Sequence, residues 1–298
     1  MKINVRVPAS SANLGSGVDT LGLALSLYLY AVFEESDRPE VRFGRGFDAP
    51  LSEADNYVLK AVSTLGALAG ERIPSFRLTL DTDIPIARGL GSSSAALVAG
   101  LFGANALLRD PLPQSDLIAL AAKLEGHPDN AVPAAVGGFT LAMNDGPEIL
   151  YRRYPAPECC CVAAVPDYHL STERARGVLP ENVPLRTAVA QLQRACLLTG
   201  ALAAGDLAGL SRLTADELFT PARSVLMPGT AAARSAALEA GALCSFVSGA
   251  GPTVLALSYE NAEAIGGAMQ KAFADEGIAA KLLLLRPDNE GARVTVEE

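Results

Sequence analysis

The segment Pro85-Ile-Ala-Arg-Gly-Leu-Gly-Ser-Ser-Ser-Ala95 places glycines and three consecutive serines directly before an apolar run that ends at Leu108. The run predicts a buried helix over 95–108, so the glycines and serines form a loop that leads into its N-terminus. A helix N-terminus offers unpaired N–H groups and the positive end of the helix dipole, which together bind phosphate without a lysine. The segment therefore predicts a phosphate site, and its residues leave a serine-capped turn open as the alternative.

Two common nucleotide motifs do not fit this segment. The P-loop requires Gly-Lys followed by serine or threonine, whereas the serines here are followed by Ala95. The dinucleotide-binding fingerprint requires a third glycine where this chain has Ser94. If the segment binds a nucleotide, it does so as a different kind of loop.

A second polar cluster, Glu125-Gly-His-Pro-Asp-Asn130, follows a predicted helix over 113–125. Glu125 ends that helix, where the dipole disfavours an anion, so a cation beside it would explain its position. A divalent cation held by Glu125 and a serine of 92–94, next to nucleotide phosphates, would be such a partner. An exposed acid at a frayed helix end is the alternative. A lone histidine such as His127 is more often structural than functional.

Polar candidates also lie in loops of both halves of the chain. Asn13 and Asp19 lie between two predicted strands, where such residues most often satisfy local backbone N–H groups. Thr172 and Arg176 are four residues apart and share a face if their segment is helical. Arg223 lies beside an apolar segment, where an arginine is usually a surface residue whose stem packs on the core.

Composition limits the class of protein and its partners. The chain has 298 residues, of which 50% are hydrophobic, and a formal net charge of -9. The charge argues against nucleic acid or an anionic membrane as a partner, and no apolar stretch approaches the ~20 residues that span a bilayer. Five cysteines without metal-site spacing are expected to be buried thiols. Their odd number and the absence of a signal peptide predict a reducing cytoplasm.

Hydrophobic periodicity predicts strands and helices in both halves, with a boundary at Pro155-Ala-Pro157 that separates domains 1–155 and 156–298. The second domain has the order strand, helices, two strands, helix, strand, which predicts an open-faced sheet with helices on one side. The predicted strands are 3–7, 21–33, 41–43, 76–80, 136–143, 149–154, 159–165, 243–247, 253–257 and 279–285. The predicted helices are 54–69, 95–108, 113–125, 185–204, 207–218, 230–240 and 261–275.

The segments 8–25, 85–95 and 247–257 together resemble the three-motif pattern of the GHMP small-molecule kinases. The first of them and 125–130 resemble the homoserine kinases of that superfamily in particular. The resemblance spans nearly the whole chain, and the motifs follow the family's order. Val18 departs from it, because the family often has phenylalanine there, and the path from Glu125 to His127 is shorter than in some members.

The resemblance implies an α+β, two-domain fold, with a mixed β/α nucleotide-binding domain followed by a ferredoxin-like sheet with helices on one face. It implies transfer of a phosphoryl group from ATP to L-homoserine, which yields O-phospho-L-homoserine for threonine biosynthesis, with ATP and Mg²⁺ as cofactors. The family commonly forms homodimers, so a homodimer is the candidate assembly. Another kinase of the superfamily, acting on a mevalonate-type or sugar alcohol, and a catalytically silent nucleotide sensor are the alternatives.

The resemblance also assigns roles to residues. Asp19 would bind the substrate ammonium, Arg176 and Arg223 would bind its carboxylate, and Asp19, Asn130 and Arg176 would take part in catalysis. Asp19 is expected to bind or orient substrate, with a general base as the less favoured role, because the motifs contain no lysine to pair with it. The implied metal ligands are Ser93 and Glu125, with Ser94 as the alternative serine. The implied substrate-binding residues are Asn13, Asp19, His127, Asn130, Thr172, Arg176 and Arg223. The implied ATP-binding residues are Pro85, Ile86, Ala87, Arg88, Gly89, Leu90, Gly91, Ser92, Ser93, Ser94 and Ala95.

Overall fold

The computed structural model describes residues 1–47, 49–52 and 54–297, which form two β-sheets and a set of flanking helices. The strands are β1 (Lys2–Ala12), β2 (Leu21–Glu35), β3 (Glu40–Phe43), β4 (Phe76–Thr82), β5 (Phe139–Asp145), β6 (Glu148–Tyr154), β7 (Cys160–Pro166), β8 (Cys244–Val247), β9 (Val254–Ser258), β10 (Ala280–Leu285) and β11 (Arg293–Glu297). The helices are α1 (Tyr57–Ala69), α2 (Ser92–Leu107), α3 (Gln114–Glu125), α4 (Pro128–Val136), α5 (Thr172–Gly177), α6 (Leu185–Ala204), α7 (Leu210–Leu213), α8 (Phe219–Arg223), α9 (Thr230–Glu239) and α10 (Ala262–Asp275).

The first sheet has seven strands, with the central order β11-β1-β2-β4-β3 and the hairpin β5-β6 attached to β2. All of its pairs are antiparallel except β3 with β4. In the first half of β1, Ile3, Val5 and Val7 alternate with less buried residues, as expected for a strand with one face in the core. Helix α2 packs on this sheet and is buried along most of its length, which suits its run of small apolar residues.

The first strand is longer than the predicted 3–7, because it continues through Pro8-Ala-Ser-Ser-Ala12. Pairing with β2 resumes after an irregularity between Pro8 and Ala9, and Ser10 and Ser11 are fully buried. Small residues are needed here because the backbone lies between α2 and the loop that follows β8, where Ser248 Oγ is 2.8 Å from Ser11 Oγ and the Gly249 N–H donates to the Ala12 carbonyl oxygen at 3.1 Å. The polar loop therefore shrinks to residues 13–20, which we call the β1–β2 loop.

The second sheet has four antiparallel strands in the order β10-β7-β9-β8. This is the order of a βαββαβ, ferredoxin-like unit, as the resemblance implies. Helices α9 and α10 cover one face through an apolar cluster that includes Val162, Ile265 and Phe273. The opposite face of this sheet is also buried, because side chains such as Cys161 and Leu255 join the main core that extends under the first sheet.

The end of the chain returns to the first sheet. Strand β11 pairs with β1 in the register Lys2 to Glu297, so the predicted second domain contributes one strand to the first. Apart from this strand, the proposed boundary at 155/156 separates the two sheets. The β1–β11 pair thus joins the two ends of the chain within one layer.

Other local predictions also differ from the structure. Helix α2 begins at Ser92 rather than at 95, so the three serines form its first turn. Helix α4 was not predicted, and the predicted strand 136–143 starts at Phe139, although a proline after His127 is a usual helix start. The predicted helix 207–218 reduces to α7, because Gly209 is left-handed and Asp216 binds the backbone that follows.

In the part of the chain that the structure describes, no helix combines the length and apolar character needed to cross a bilayer.

Candidate active site

A cavity of about 450 Å³ lies where the two sheets meet. Its walls come from the β1–β2 loop, the start of α2, the end of α3, the start of α4, and α5 and Arg223 of the second half. The three sequence segments that suggested chemistry are therefore brought to one place. The predicted substrate residues Asn13, Asp19, His127, Asn130, Thr172, Arg176 and Arg223 all line this cavity.

The predicted phosphate loop, residues 85–95, reaches the cavity wall at the start of α2. Gly91 adopts φ 70 directly before the helix, and the N–H groups of the first helical residues have no acceptor four residues earlier within the helix. Ser92 and Ser93 line the cavity, whereas Leu90, Ser94 and Ala95 are fully buried. The geometry is that of an anion site formed by a helix N-terminus.

Other members of the predicted ATP-binding segment divide in the same way. Ile86, Ala87, Gly89 and Gly91 line the cavity. Arg88 is 9% exposed and directs Nη2 to Asp167 Oδ1 at 3.4 Å, so it links the loop to the second domain. Pro85, Arg88, Leu90, Ser94 and Ala95 are absent from the cavity wall in the described structure.

The third motif packs against the phosphate loop. The Ser248 hydroxyl donates to the carbonyl oxygen of Gly89 at 2.7 Å and lies 2.8 Å from Ser11 Oγ. A Cβ built on Gly89 would lie 2.3 Å from the carbonyl oxygen of Ser248 and 2.8 Å from that of Gly251. Glycine is therefore required at 89 for this close approach, since a side chain there would push the loop away from the third motif.

Glu125 and Ser93 meet at the cavity wall. Ser93 Oγ donates to Glu125 Oε1 at 2.6 Å, which brings the C-terminal end of α3 to the N-terminal end of α2. Glu125 forms no ion pair with the described residues. Two neighbouring oxygen ligands suit Mg²⁺, which prefers few protein ligands and completes its shell with water and phosphate oxygens. In the described residues, no group of three or more His, Cys, Asp or Glu could hold a metal without such help.

The β1–β2 loop is held in shape by Asn13. Its Nδ2 donates to the carbonyl oxygen of Gly249 at 2.7 Å, and its Oδ1 accepts from the backbone N–H of Asp19 at 3.0 Å. Both Asn13 and Asp19 have positive φ, at 70 and 54, which asparagine and aspartate tolerate better than most residues. Asn13 therefore fixes Asp19 relative to the third motif.

Asp19 and Arg176 form a bidentate ion pair across the cavity. Arg176 Nη2 lies 2.6 Å from Asp19 Oδ1, and Nη1 lies 3.2 Å from Oδ2. The side chains remain 44% and 39% exposed, so solvent weakens the pair and a ligand can compete for either partner. The two residues stand 157 apart in sequence, and their contact bridges the two halves of the cavity.

Arg223 is buried, with 5% exposure, at the end of α8. Its Nε donates to the carbonyl oxygen of Ala175 at 3.1 Å, and Nη1 donates to that of Gly249 at 3.4 Å. Within the described residues Nη2 makes no hydrogen bond. Burial and the neighbouring Arg176 lower the pKa of Arg223, while nearby carboxylates oppose them, but a guanidinium stays charged at neutral pH.

Helix α4 begins with a buried pair of ionisable residues. His127 Nδ1 lies 2.6 Å from Asp129 Oδ1, and Asp129 is 1% exposed. Burial lowers the pKa of His127, but the hydrogen bond and charge of Asp129 and the charge of Glu125 raise it by more, so the pKa lies above its ordinary value. Asp129 was not among the predicted site residues, although the motif that contains it was recognised.

Asn130 is also fixed by a partner that sequence analysis did not select. Ser10 Oγ donates to Asn130 Oδ1 at 2.9 Å, and both side chains are buried. The Asn130 Nδ2 group makes no hydrogen bond with the described residues, and Asn130 lines the cavity. Its amide is therefore oriented and still has donors to offer a ligand.

One part of the cavity was missed by sequence analysis. Its wall is apolar and is formed by residues of β2, β4, the segment before α1, and α1 itself. They include Leu29, Phe47, Tyr57, Val58 and Leu80. These residues belong to no local motif, because they occupy strand and helix positions with an ordinary hydrophobic pattern. The cavity thus has an apolar end beside Ile86 and a charged end at Asp19 and Arg223.

Comparison with known proteins gives a consistent result. The model described as GHMP kinases N terminal domain matches residues 56–138, and the model described as GHMP kinases C terminal matches residues 197–275. A homoserine kinase of Moorella thermoacetica is 43% identical over 292 residues, which cover 97% of this chain and 99% of the relative. A homoserine kinase of Desulfitobacterium hafniense is 40% identical and covers 98% of this chain and 99% of its own.

Solved structures show the same relationship. The crystal structure of homoserine kinase from Cytophaga hutchinsonii matches with a TM-score of 0.88 and 31% identity, covering 99% of this chain and 97% of that one. The phosphomevalonate kinase of Streptococcus pneumoniae matches with a TM-score of 0.71 but only 17% identity, over 96% of this chain and 99% of its own. At 17% identity, the match to phosphomevalonate kinase shows a shared fold and nothing more.

Proposed function

The chain belongs to the GHMP kinase family and, within it, to the homoserine kinases, and we propose that its cavity holds Mg·ATP and L-homoserine end to end. The reaction transfers the γ-phosphoryl group of ATP to the homoserine hydroxyl and leaves ADP and O-phospho-L-homoserine. The observation that carries the proposed arrangement is the single cavity, with a helix N-terminus and an acid–serine pair between its apolar and its charged end.

ATP would lie along the apolar end and the phosphate loop. The apolar wall, including Leu29, Phe47 and Tyr57, suits a nucleobase, and the first turn of α2 suits the phosphates. Ser93 and Glu125 would hold a Mg²⁺ ion, which would supply positive charge to the phosphate oxygens. Ser94 is a poor alternative as a ligand, because it is fully buried and is absent from the cavity wall in the described structure.

Homoserine would lie at the charged end. Its carboxylate suits the fork geometry of Arg176 and Arg223, and its ammonium suits Asp19. Asp19 and Arg176 bind each other at 2.6 Å. The zwitterion would replace this contact with two of opposite charge, its ammonium on Asp19 and its carboxylate on Arg176. Thr172, at the start of α5 on the cavity wall, would contact the same end of the substrate.

The chemistry requires positioning and charge stabilisation more than covalent participation by the protein. Asn130, whose amide is fixed by Ser10, would orient the substrate hydroxyl for in-line attack, and His127 would lie beside it. The N–H groups at the start of α2 would stabilise the developing charge. No lysine lies on the cavity wall of the described structure to pair with Asp19 as a general base. Asp19 therefore binds and orients the substrate and does not remove the proton of its hydroxyl.

The substrate assignment is tested by measuring ADP release from Mg·ATP with L-homoserine, mevalonate, phosphomevalonate and galactose. We expect saturable turnover with L-homoserine and none of comparable efficiency with the others, because those alcohols lack the ammonium that Asp19 would bind. Turnover with a different alcohol would keep the phosphate site and overturn the proposed amino-acid end. ATP binding without ADP release from any mixture would support the silent nucleotide sensor.

We also propose a homodimer that forms through α6. The exposed face of this helix is apolar, since Leu185, Val189, Leu192 and Leu197 are 80%, 44%, 63% and 62% exposed. Leu185, Val189 and Leu192 are spaced by four and three residues and lie on one side of the helix, and Leu197 lies at the edge of that side. An antiparallel pair of α6 helices would set the bulky Leu185 of one copy near the exposed Gly200 of the other, with opposed dipoles.

The dimer is tested by sedimentation of the wild type and of Leu192→Glu. The wild type should have the mass of two chains, and the variant the mass of one at the same concentration, because a charge would be buried in the centre of the interface. Arg186→Ala, at the edge of the same face, should leave the mass unchanged. A monomeric wild type, or a dimer that persists in Leu192→Glu, contradicts the proposed interface.

A further inference from the structure

Gln191 is a buried polar residue in the middle of α6, outside the cavity wall of the described structure. Its Nε2 donates to the carbonyl oxygen of Ser16 at 3.0 Å and to Asp216 Oδ1 at 3.1 Å. Its Oε1 accepts from the backbone N–H of Glu217 at 3.3 Å. One amide group therefore joins α6, the β1–β2 loop and the segment that precedes α8.

The β1–β2 loop also contacts residues 213–214, which lie before α8, in two further places. Ser16 Oγ donates to the carbonyl oxygen of Leu213 at 2.7 Å. A Cβ built on Gly15 would lie 1.9 Å from the carbonyl oxygen of Thr214, so the two backbones are in direct contact. Asp19 follows Ser16 by three residues in this short loop. A shift of α6 or of residues 213–216 would therefore move the Asp19 carboxylate, which is proposed to bind the substrate ammonium.

On the other side, Asp216 fixes the start of α8. Its Oδ1 accepts from the backbone N–H groups of Leu218 at 2.9 Å and Phe219 at 3.1 Å. Its Oδ2 accepts from the N–H of Thr220 at 2.6 Å and from its hydroxyl at 2.7 Å. Helix α8 is only five residues long and ends at Arg223, so its orientation depends on these bonds.

We infer that Gln191 and Asp216 are positioning residues that set the spacing between Asp19 and Arg223. The inference rests on the proposed location of homoserine between those two residues. Gln191 bonds to Ser16, in the loop that carries Asp19, and to Asp216, which fixes the start of the helix that carries Arg223. Its amide therefore couples two segments far apart in sequence. In the described structure neither side chain forms a hydrogen bond with the phosphate loop or with Glu125. The coupling therefore acts on the amino-acid end of the cavity and leaves the ATP end alone.

Gln191→Met tests the inference, because methionine has a similar length and lacks the amide. The buried Ser16 carbonyl and the Asp216 carboxylate each lose a hydrogen-bond donor, which lets the β1–β2 loop and the segment before α8 move independently. We expect the KM for homoserine to rise about 10-fold while the KM for ATP stays within about 2-fold, since small displacements reduce substrate alignment. Gln114→Met is the matched control. Gln114 is exposed at the start of α3, away from the cavity wall and from the α6 face proposed for the dimer. It makes no side-chain hydrogen bond with the described residues, so both KM values should be unchanged.

Asp216→Asn provides a second variant, since asparagine keeps one acceptor and loses the other. It should also raise the KM for homoserine, and the double variant should have less than the combined effect because the two residues share a hydrogen bond. A homoserine KM equal to the wild type in both single variants overturns the inference. A fall in kcat with both KM values unchanged does so as well, because it reports less folded protein rather than altered alignment.

Arg223→Ala, measured in the same series, separates this inference from the proposed substrate location. If Arg223→Ala raises the KM for homoserine and Gln191→Met does not, the location is supported and only the positioning role fails. If Arg223→Ala and Arg176→Ala both leave that KM unchanged, the substrate lies elsewhere and the positioning role fails with its premise.

Discussion

Glu125→Gln is expected to lower kcat by roughly 10²–10³-fold, because a bound metal contributes several kcal/mol to such transition states. Glutamine keeps the shape of the side chain and an oxygen that can accept from Ser93 Oγ, at 2.6 Å in the wild type, so the protein should stay folded. It removes the negative charge that attracts Mg²⁺. Initial rates measured across a range of Mg²⁺ concentrations should show half-saturation at a much higher concentration than in the wild type.

Glu173→Gln is the matched control for this experiment. Glu173 also lines the cavity, but it lies on α5 at the end proposed for homoserine. Its Mg²⁺ dependence should equal that of the wild type. If Glu125→Gln also keeps the wild-type kcat and Mg²⁺ dependence, Glu125 is not a metal ligand and the position of Mg²⁺ must be sought among other cavity residues.

The same assay distinguishes the two serine candidates. Ser93→Ala should raise the Mg²⁺ requirement and lower kcat about 10-fold, a smaller loss than that of a charged ligand. Ser94→Ala should have no such effect, because the Ser94 hydroxyl is buried and lacks a hydrogen-bond partner in the described structure. The reverse result would move the serine ligand to Ser94, the alternative that sequence alone left open.

Local sequence patterns were sufficient to find the segments that line the cavity. Glycines and serines before an apolar helix predicted an anion site at α2, and an acid at a helix end predicted a cation partner for Glu125. The helix begins at Ser92 rather than after the serines, since serine tolerates the first turn of a helix as well as the cap position. The βαββαβ order of the second domain was also predicted from periodicity, because each of its elements carries its own pattern.

Contacts between segments distant in sequence could not be predicted in this way. The apolar wall that includes Leu29 and Leu80 consists of ordinary strand positions, whose cavity-facing role depends on tertiary packing. The buried Gln191 reads as a polar position in an amphipathic helix, and its partners lie 175 and 25 residues away. Strand β11 joins the first sheet although its residues are the last described in the chain.

The exposed apolar face of α6 shows a related limit. Its period of hydrophobic residues predicted a helix correctly, but the face that the sequence marks as apolar is only partly the one that packs on the core. Leu198 and Leu202 are buried, whereas Leu192 and Leu197 face outward. A hydrophobic pattern reports that surface must be covered, and it does not distinguish burial in the same chain from burial against another copy.

Arg223→Ala is expected to raise the KM for homoserine about 100-fold, while the KM for ATP changes within about 2-fold. Removal of a buried charge from a charged partner typically costs 2–5 kcal/mol, and the guanidinium is held here by the carbonyl oxygens of Ala175 and Gly249. Arg223→Lys should recover only part of the loss, because lysine retains the charge without the fork geometry. Arg174→Ala is the control, since Arg174 is exposed on neighbouring α5.

The partner of Arg223 can be identified with 3-aminopropan-1-ol, which has the hydroxyl and ammonium of homoserine but no carboxylate. If Arg223 binds the carboxylate, the wild type should use this analogue poorly, and Arg223→Ala should cause little further loss in kcat/KM. The product of the separate effects would then exceed the combined effect, as expected for two groups that contact each other. An equal loss with homoserine and with the analogue would show that Arg223 supports the fold of the cavity instead, through Ala175 and Gly249.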